Sequence, residues 1–312
     1  MDISVLSLGT VQLGLDYGVN NAGGKPDRSV AFGIMDAAVN GGINAFDTAA
    51  AYGDSEVVIG EWLKTKDPAA HPFMMTKVNA LDHSSLDALR ASMRAAVEKG
   101  KQRLGLEQLP LLMLHHCDEY LNDKENVTRV FEELKASGDI CYCGVSAYAH
   151  HDYREIAASG FDAIQIPINL FDWRQIDNGG LKALQESGMM VFARSVYLQG
   201  LVFMEPEQLA PHLSFCKETL VKFHALCKKY DFAPATLALS FAASRPEITS
   251  LVLGCEKVEQ VEDNLALFEK VVDLTDAQMQ EIRDNFHDTF EGVLNPTYWN
   301  QTKKEAEKAA AK

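Results

Sequence analysis

The chain has 312 residues, 47% of them apolar and 23% charged, with 29 Lys and Arg against 44 Asp and Glu for a formal net charge of −15. At about 150 residues per domain the length suggests two domains, although α/β barrels exceed that size as single units. So acidic a surface repels phosphate backbones and anionic lipid, which argues against nucleic-acid and membrane-surface roles but leaves room for an anionic ligand in a locally basic pocket.

The opening residues, Met1-Asp2-Ile3-Ser4-Val5, have neither a basic stretch nor a long apolar one, so no signal peptide is expected. No apolar run reaches the roughly 20 residues of a bilayer span. The six cysteines, Cys117, Cys141, Cys143, Cys216, Cys227 and Cys255, form no C-x-x-C pair. They read as reduced thiols of a cytoplasmic protein, with no zinc or other metal site. Cys117, Cys141, Cys143 and Cys255 are expected to be small buried residues.

Along the chain, eight apolar runs rich in β-branched residues alternate with amphipathic stretches: 3–8, 43–46, 73–77, 109–115, 140–146, 163–168, 189–193 and 250–254. Continuous rather than alternating runs suit parallel strands buried on both faces. Helices are expected at 29–40, 55–64, 153–159, 180–187, 217–230 and 258–268. One more carries Leu86, Leu89, Met93 and Val97 on a face behind Ser84 or Ser85 as N-cap, and another carries Val127, Val130, Phe131 and Leu134, closed by Gly138. Segments 205–215 and 274–286 read as accessory helices, and Gly23-Gly24 and Gly179-Gly180 as turns. Eight β-then-α units without a linker or a shift in composition favour one (β/α)8 TIM barrel over two doubly wound domains. The barrel is expected over 1–299, with 300–312 a flexible tail or loose helix.

In such a barrel the chemistry sits at the C-terminal strand ends. The second run leads into Asp47, with Tyr52 five residues on. The third ends in Lys77, the fourth in His115 and the fifth in Ser146. The sixth carries Gln165, the seventh leads into Arg194-Ser195, and the eighth ends at Gly254. A lysine at a buried strand end needs a counter-charge, and Asp47 is in reach; a structural ion pair is one reading. Tyr52 and His115 add another. An ammonium beside a phenol favours the phenolate, making the tyrosine a proton donor near working pH, and an imidazole can orient a carbonyl oxygen. Those parts suit hydride addition to a carbonyl.

The segments Phe46-Asp47-Thr48-Ala49-Ala50-Ala51-Tyr52-Gly53, Met75-Thr76-Lys77-Val78 and Leu112-Met113-Leu114-His115 resemble the aldo-keto reductases, and the resemblance runs from Gly9-Thr10 to Asn264. It implies a barrel that binds NADP(H) or NAD(H) without a Rossmann domain. It assigns Tyr52 as general acid, Lys77 as the group that lowers its pKa, Asp47 as the partner of Lys77, and His115 as the orienting residue. His116 then falls at a substrate-facing position.

The same resemblance implies that Ser146 and Gln165 hold the nicotinamide carboxamide, with Ala147 where many members have Asn. Arg194 stands where many place a tyrosine stacked on the nicotinamide, and a guanidinium could stack there or reach a phosphate. Gly9, Thr10, Asp47, Ser195, Gln199 and Gly200 complete that end of the cofactor site. The stretch Gly254 to Asn264 matches the adenosine-binding segment: Gln260 replaces a frequent phosphate-gripping Arg, Gly254 replaces a frequent Lys, and Asn264 closes it. Glu256 suits a free 2′-hydroxyl and Lys257 a phosphate. NADP(H) is the commoner family cofactor and NAD(H) the alternative.

For the substrate, a small-molecule carbonyl compound, the pocket is expected to include Gln12, Tyr17, His116, Tyr148 and Trp173, with Asp16, Asp172, Arg174 and Trp299 nearby. That polar and aromatic mixture suits a sugar-like compound. The stretches from Gly9 to Gly18 and from Arg194 to Gly200 resemble a bacterial, carbohydrate-related subgroup. Two other readings stand beside this one: a non-catalytic, nucleotide-binding regulatory barrel, and a lyase or isomerase that uses Lys77 as a Schiff base.

Overall fold

The computed structural model describes residues 2–17 and 24–310. Gly18 and Gly23 lie outside the described residues, as does the end of the tail at 311–312. All eight apolar runs form strands: β1 (Leu6–Gly9), β2 (Ala45–Asp47), β3 (Phe73–Val78), β4 (Leu109–Leu114), β5 (Ile140–Ser146), β6 (Ala163–Pro167), β7 (Met190–Arg194) and β8 (Ser250–Gly254). They pair in parallel in chain order and close, β1 meeting both β2 and β8, so that Leu8 stands beside Phe46 on one side and Leu253 on the other. This is the (β/α)8 barrel.

Side chains alternate between the two faces of each strand, and that alternation positions the site. Inside the barrel, Ala45, Phe73, Met75, Leu111, Met113, Ala163, Phe192 and Val252 pack into one cluster. Adding two residues to each strand of this inner set reaches Asp47, Lys77, His115, Gln165, Arg194 and Gly254. The polar rim is therefore the inner layer nearest the C-terminal strand ends. The opposite parity, Phe46, Met74, Leu112, Leu114 and Ile164, packs against the surrounding helices in the larger core.

The helices begin and end where local chemistry dictates. The helix Leu86–Leu104 is capped by Ser85, whose hydroxyl accepts from the Ala88 N–H at 3.1 Å, and it stops at Gly105 in the left-handed conformation. The helix Asp276–Phe286 opens with a capping box between Thr275 and Gln278. The expected helix over 205–215 is corrected: that segment forms two 3-10 turns, Pro206–Gln208 and Pro211–Cys216. Pro206 and Pro211 each open a turn and neither can donate an N–H to the one before. The helix Pro234–Ala243 has no counterpart in the sequence reading, because it is apolar on nearly every face and lacks a stripe.

The helix Pro296–Ala310 runs across the boundary expected at 299/300. Trp299 is buried, its indole N–H donating to the Gly292 carbonyl at 2.8 Å, and the Thr302 hydroxyl donates to the His212 carbonyl at 3.1 Å. All six cysteines are free, and five are buried. Cys141 is exposed, against expectation: β6 pairs with β5 only from Gly144 onward, and Cys141 and Tyr142 lie before that pairing. Among the described residues no helix is long and apolar enough to cross a membrane, and no cluster of three or more His, Cys, Asp or Glu could hold a metal ion.

Candidate active site

At the C-terminal end of the barrel the Lys77 ammonium is completely buried. It donates to Asp47 Oδ1 at 2.5 Å, to the Thr48 carbonyl at 3.0 Å and to the Tyr52 hydroxyl at 3.4 Å. Three donors thus meet three acceptors, the full capacity of an ammonium. Burial works against the charge, but the attraction of Asp47, helped by Tyr52, outweighs it and raises the Lys77 pKa above that of a free lysine. Lys77 is held protonated. A protonated amine is no nucleophile.

Asp47 is itself fixed through its backbone. Its carbonyl accepts from both the N–H and the hydroxyl of Thr10, at 3.0 and 2.8 Å. The Ser55 hydroxyl then anchors Thr10 from the first turn of the next helix, 2.9 Å from the Thr10 carbonyl. Gln165 Nε2 reaches Asp47 Oδ1 from β6 at 2.8 Å.

The loop bearing Tyr52 depends on two glycines. A Cβ on Gly14 would lie 1.8 Å from the Tyr52 carbonyl oxygen and 2.6 Å from the Ser55 nitrogen. Gly53 adopts φ +58°, and a Cβ there would lie 2.3 Å from the Gly14 carbonyl. Only two bare backbones can approach so closely.

His115 meets the Tyr52 ring edge-on at 5.6 Å and stacks on His116 at 5.2 Å. Its Nδ1 is buried without a partner among the described residues. Burial first, then the charges of Lys77, His116 and Arg194, push its pKa down to about 3, so the imidazole is neutral. A neutral imidazole keeps one N–H to donate.

These groups line a cleft of about 620 Å³ that extends from Tyr52 and His115, past Ser146, Gln165 and Arg194, to Gly254, Glu256, Gln260, Asp263 and Asn264. Gly9, Thr10, Gln12, Tyr17, Tyr148, Ser195, Gln199 and Gly200 also line it. Gln12 Oε1 is buried without a partner among the described residues, and its amide packs against Gly254, where a Cβ would lie 2.5 Å from Nε2. The Arg194 guanidinium sits 4.7 Å over the Tyr148 ring and donates to the Ala147 carbonyl at 3.4 Å. Gln199 Nε2 donates to the Tyr17 hydroxyl at 2.9 Å, joining the loops that follow β1 and β7. Ser195, Gln199 and Gly200 all have positive φ, a kinked loop after β7.

At the far end, Gln260 Oε1 accepts from the Glu256 N–H at 2.6 Å, and Asn264 contacts Cys255 Sγ and the Tyr197 hydroxyl. Burial raises the Glu256 pKa, opposed by Lys257 and helped by Asp16. Asp16, Asp172, Arg174 and Trp299, expected near the substrate, do not line the cleft, and three residues expected in it are not brought there. Lys257 is exposed at the start of the helix Val258–Phe268, and His116 lies outside His115, exposed. Trp173 is buried in the core, against Phe241 at 5.4 Å and with its indole N–H on the Leu170 carbonyl. Trp173 follows β6 by six residues, far enough for its loop to fold back onto the helices. The cleft also includes Phe203, Ala235 and Leu267, which sequence reasoning missed, and Val196, Tyr197 and Asp263 from within the stretches 194–200 and 254–264. Proline at the first position of the helix Pro234–Ala243 was the one local signal for the element carrying Ala235.

The model of the aldo/keto reductase family matches residues 5–285. The chain belongs to that family. Among its relatives, the Bacillus subtilis oxidoreductase YqkF is 28% identical over 283 residues, covering 85% of this chain and 87% of that protein. The NADH-specific methylglyoxal reductase of Escherichia coli is 27% identical over 314 residues, covering 90% of this chain and 94% of that protein. Of solved structures, the aldo-keto reductase AKR11C1 from Bacillus halodurans, in its holo form, superposes with a TM-score of 0.72 at 23% identity, covering 94% of this chain and 96% of that one. As an aldo/keto reductase family member with these relatives, the chain is an oxidoreductase.

Proposed function

We propose that the chain reduces an aldehyde or ketone to the alcohol, with Tyr52 as proton donor and a reduced nicotinamide dinucleotide as cofactor. The observation that carries this reading is the wholly buried Lys77 ammonium, fixed by Asp47 at 2.5 Å and set 3.4 Å from the Tyr52 hydroxyl, beside a neutral His115. Tyr52 gives its proton to the carbonyl oxygen, and the ammonium stabilises the phenolate left behind. Asp47 keeps Lys77 charged and in place. The remaining N–H of His115 orients the carbonyl oxygen. With its three donors committed, Lys77 lacks the free amine of a Schiff-base enzyme.

The cleft fits the cofactor on its own chemistry. Gln165 and Ser146 stand together at the inner end, and the Gln165 carbonyl oxygen has no partner among the described residues, leaving an acceptor for a carboxamide. Gly9 and Gly254 line its floor at two neighbouring strand ends, with the Gln12 amide packed against Gly254. When bound there, the nicotinamide supplies the hydride. Among the described residues Arg194 is the one permanently charged cation lining the cleft, and Asp47, Glu256 and Asp263 are acidic. Since Lys257 does not line the cleft and Gln260 is bonded to the Glu256 backbone, no cation among the described residues lines the adenosine end, and NAD(H) fits better than the expected NADP(H). Tyr17, Tyr148, Gln199 and Arg194 give the mouth polar and aromatic groups suited to a small, hydroxylated, sugar-like carbonyl compound. Free, mostly buried thiols accord with a reducing cytoplasm.

The test is fluorescence titration with NADH and with NADPH, followed by small aldehydes and ketones assayed at the nicotinamide absorbance. NADH should bind more tightly, and Tyr52→Phe should lose about 10² to 10⁴ in rate while still binding it. A fully active Tyr52→Phe, or binding of neither nucleotide, overturns the reading. NADPH binding at least as tight as NADH overturns the cofactor assignment alone.

A further inference from the structure

The bond from Gln165 to Asp47 spans the barrel. β6 and β2 are four strands apart in a closed ring of eight, so the two residues face each other across the interior. Both are almost fully buried, Gln165 at 1% and Asp47 at 4% exposure. The amide orientation is dictated by its partner: a carboxylate can only accept, so the –NH2 side must face Asp47 and the carbonyl side is left over. Asp47 Oδ1 therefore takes two donors on one atom, Lys77 Nζ at 2.5 Å and Gln165 Nε2 at 2.8 Å.

Resting on the carbonyl-reductase reading, we propose that Gln165 is a positioning residue for the proton donor, acting through Asp47 and Lys77 as well as lining the cofactor cleft. An N–H on Oδ1 draws off part of the carboxylate charge that Lys77 would otherwise neutralise. More of the ammonium's field is then left for the Tyr52 hydroxyl, the third acceptor on the same nitrogen. The strut also fixes Oδ1 in space, and through it the direction of the Lys77–Tyr52 bond. One amide thus ties the cleft, on its carbonyl side, to the acid, on its nitrogen side.

The test uses the whole chain, wild type against Gln165→Met, which keeps the length but removes the donor, and Gln165→Asn, which withdraws the amide from Asp47. NADH affinity is measured by fluorescence, and kcat against pH at saturating NADH. With the strut gone Asp47 neutralises Lys77 more fully, the phenolate is less favoured, and the alkaline limb of the kcat profile should move up by about one pH unit in both variants. Weaker NADH binding with the limb unmoved reduces Gln165 to a cofactor contact and overturns the proposal. Variants that bind NADH are folded, so an unmoved limb in either is decisive. A wild type that reduces no carbonyl sinks the underlying reading instead, a result distinct from an active wild type with unshifted variants.

Discussion

The Lys77 ammonium lies 3.4 Å from the Tyr52 hydroxyl and 4.9 Å from the centre of the Tyr52 ring, so one buried cation faces both the oxygen and the π-system of the same side chain. The contact joins the end of β3 to the loop after β2. It exists only because Asp47 makes a buried charge tolerable there.

Replacing Asp47 should expose that dependence. In the wild type the Lys77 pKa is raised, so its stabilisation is fully present below 10.5 and fades only as pH climbs through the higher folded value. Asp47→Asn removes the main attraction and leaves burial opposed by Tyr52 alone, which lowers the lysine pKa and reverses the sign. The unfolded chain then binds the extra proton, and stability rises with pH up to about 10.5. The loss near neutrality should be about 3–5 kcal/mol. Thermal melts from roughly pH 7 to 10 measure both effects, and parallel curves for the two proteins would contradict the account.

His115 makes the opposite kind of contribution. Its folded pKa is depressed to about 3, so between 6.5 and about 3 the unfolded state holds a proton that the folded state refuses. Stability therefore falls as pH drops through that window and is unaffected by this group above it. His115→Gln should flatten the acid arm by at most about 1.4 kcal/mol per pH unit. Urea titrations at several pH values decide it: an equally steep arm in the variant means the imidazole is not the source.

Gly14→Ala tests the support of the Tyr52 loop. A methyl placed 1.8 Å from the Tyr52 carbonyl must displace that backbone. A displacement on the order of 1 Å at a proton donor can cost about 10²-fold in rate. The expected pattern is a large fall in kcat with NADH affinity little changed. Wild-type kcat in the variant would show that the loop tolerates the shift.

At the far end of the cleft, Gln260→Arg should change nucleotide preference. The guanidinium would stand beside Glu256 and supply the cation that the lining lacks there. NADPH affinity should rise by about tenfold or more relative to NADH. An unchanged ratio would place the adenosine end elsewhere.

The order and type of the elements were legible because a parallel strand buried on both faces is a continuous apolar run, and eight such runs stand in the chain. The catalytic candidates were legible as well, because Asp47, Lys77 and His115 stand at the C-terminal ends of their apolar runs, with Tyr52 in the loop after the second. Prolines at 206 and 211 break the helix expected over 205–215, and the uniformly apolar helix Pro234–Ala243 carries no periodic signal at all.

What the sequence determined by itself was therefore the barrel and the residues on its inner rim, since both follow from local periodicity. Tertiary structure alone decided which rim residues touch. Gln165 reaches Asp47 across 118 positions of chain, Gly14 meets the Tyr52 backbone, and Trp173 turns into the core while Tyr148 stays at the cleft. Closure of the barrel sets these distances, and closure is a property of all eight strands together, with no trace in any one segment.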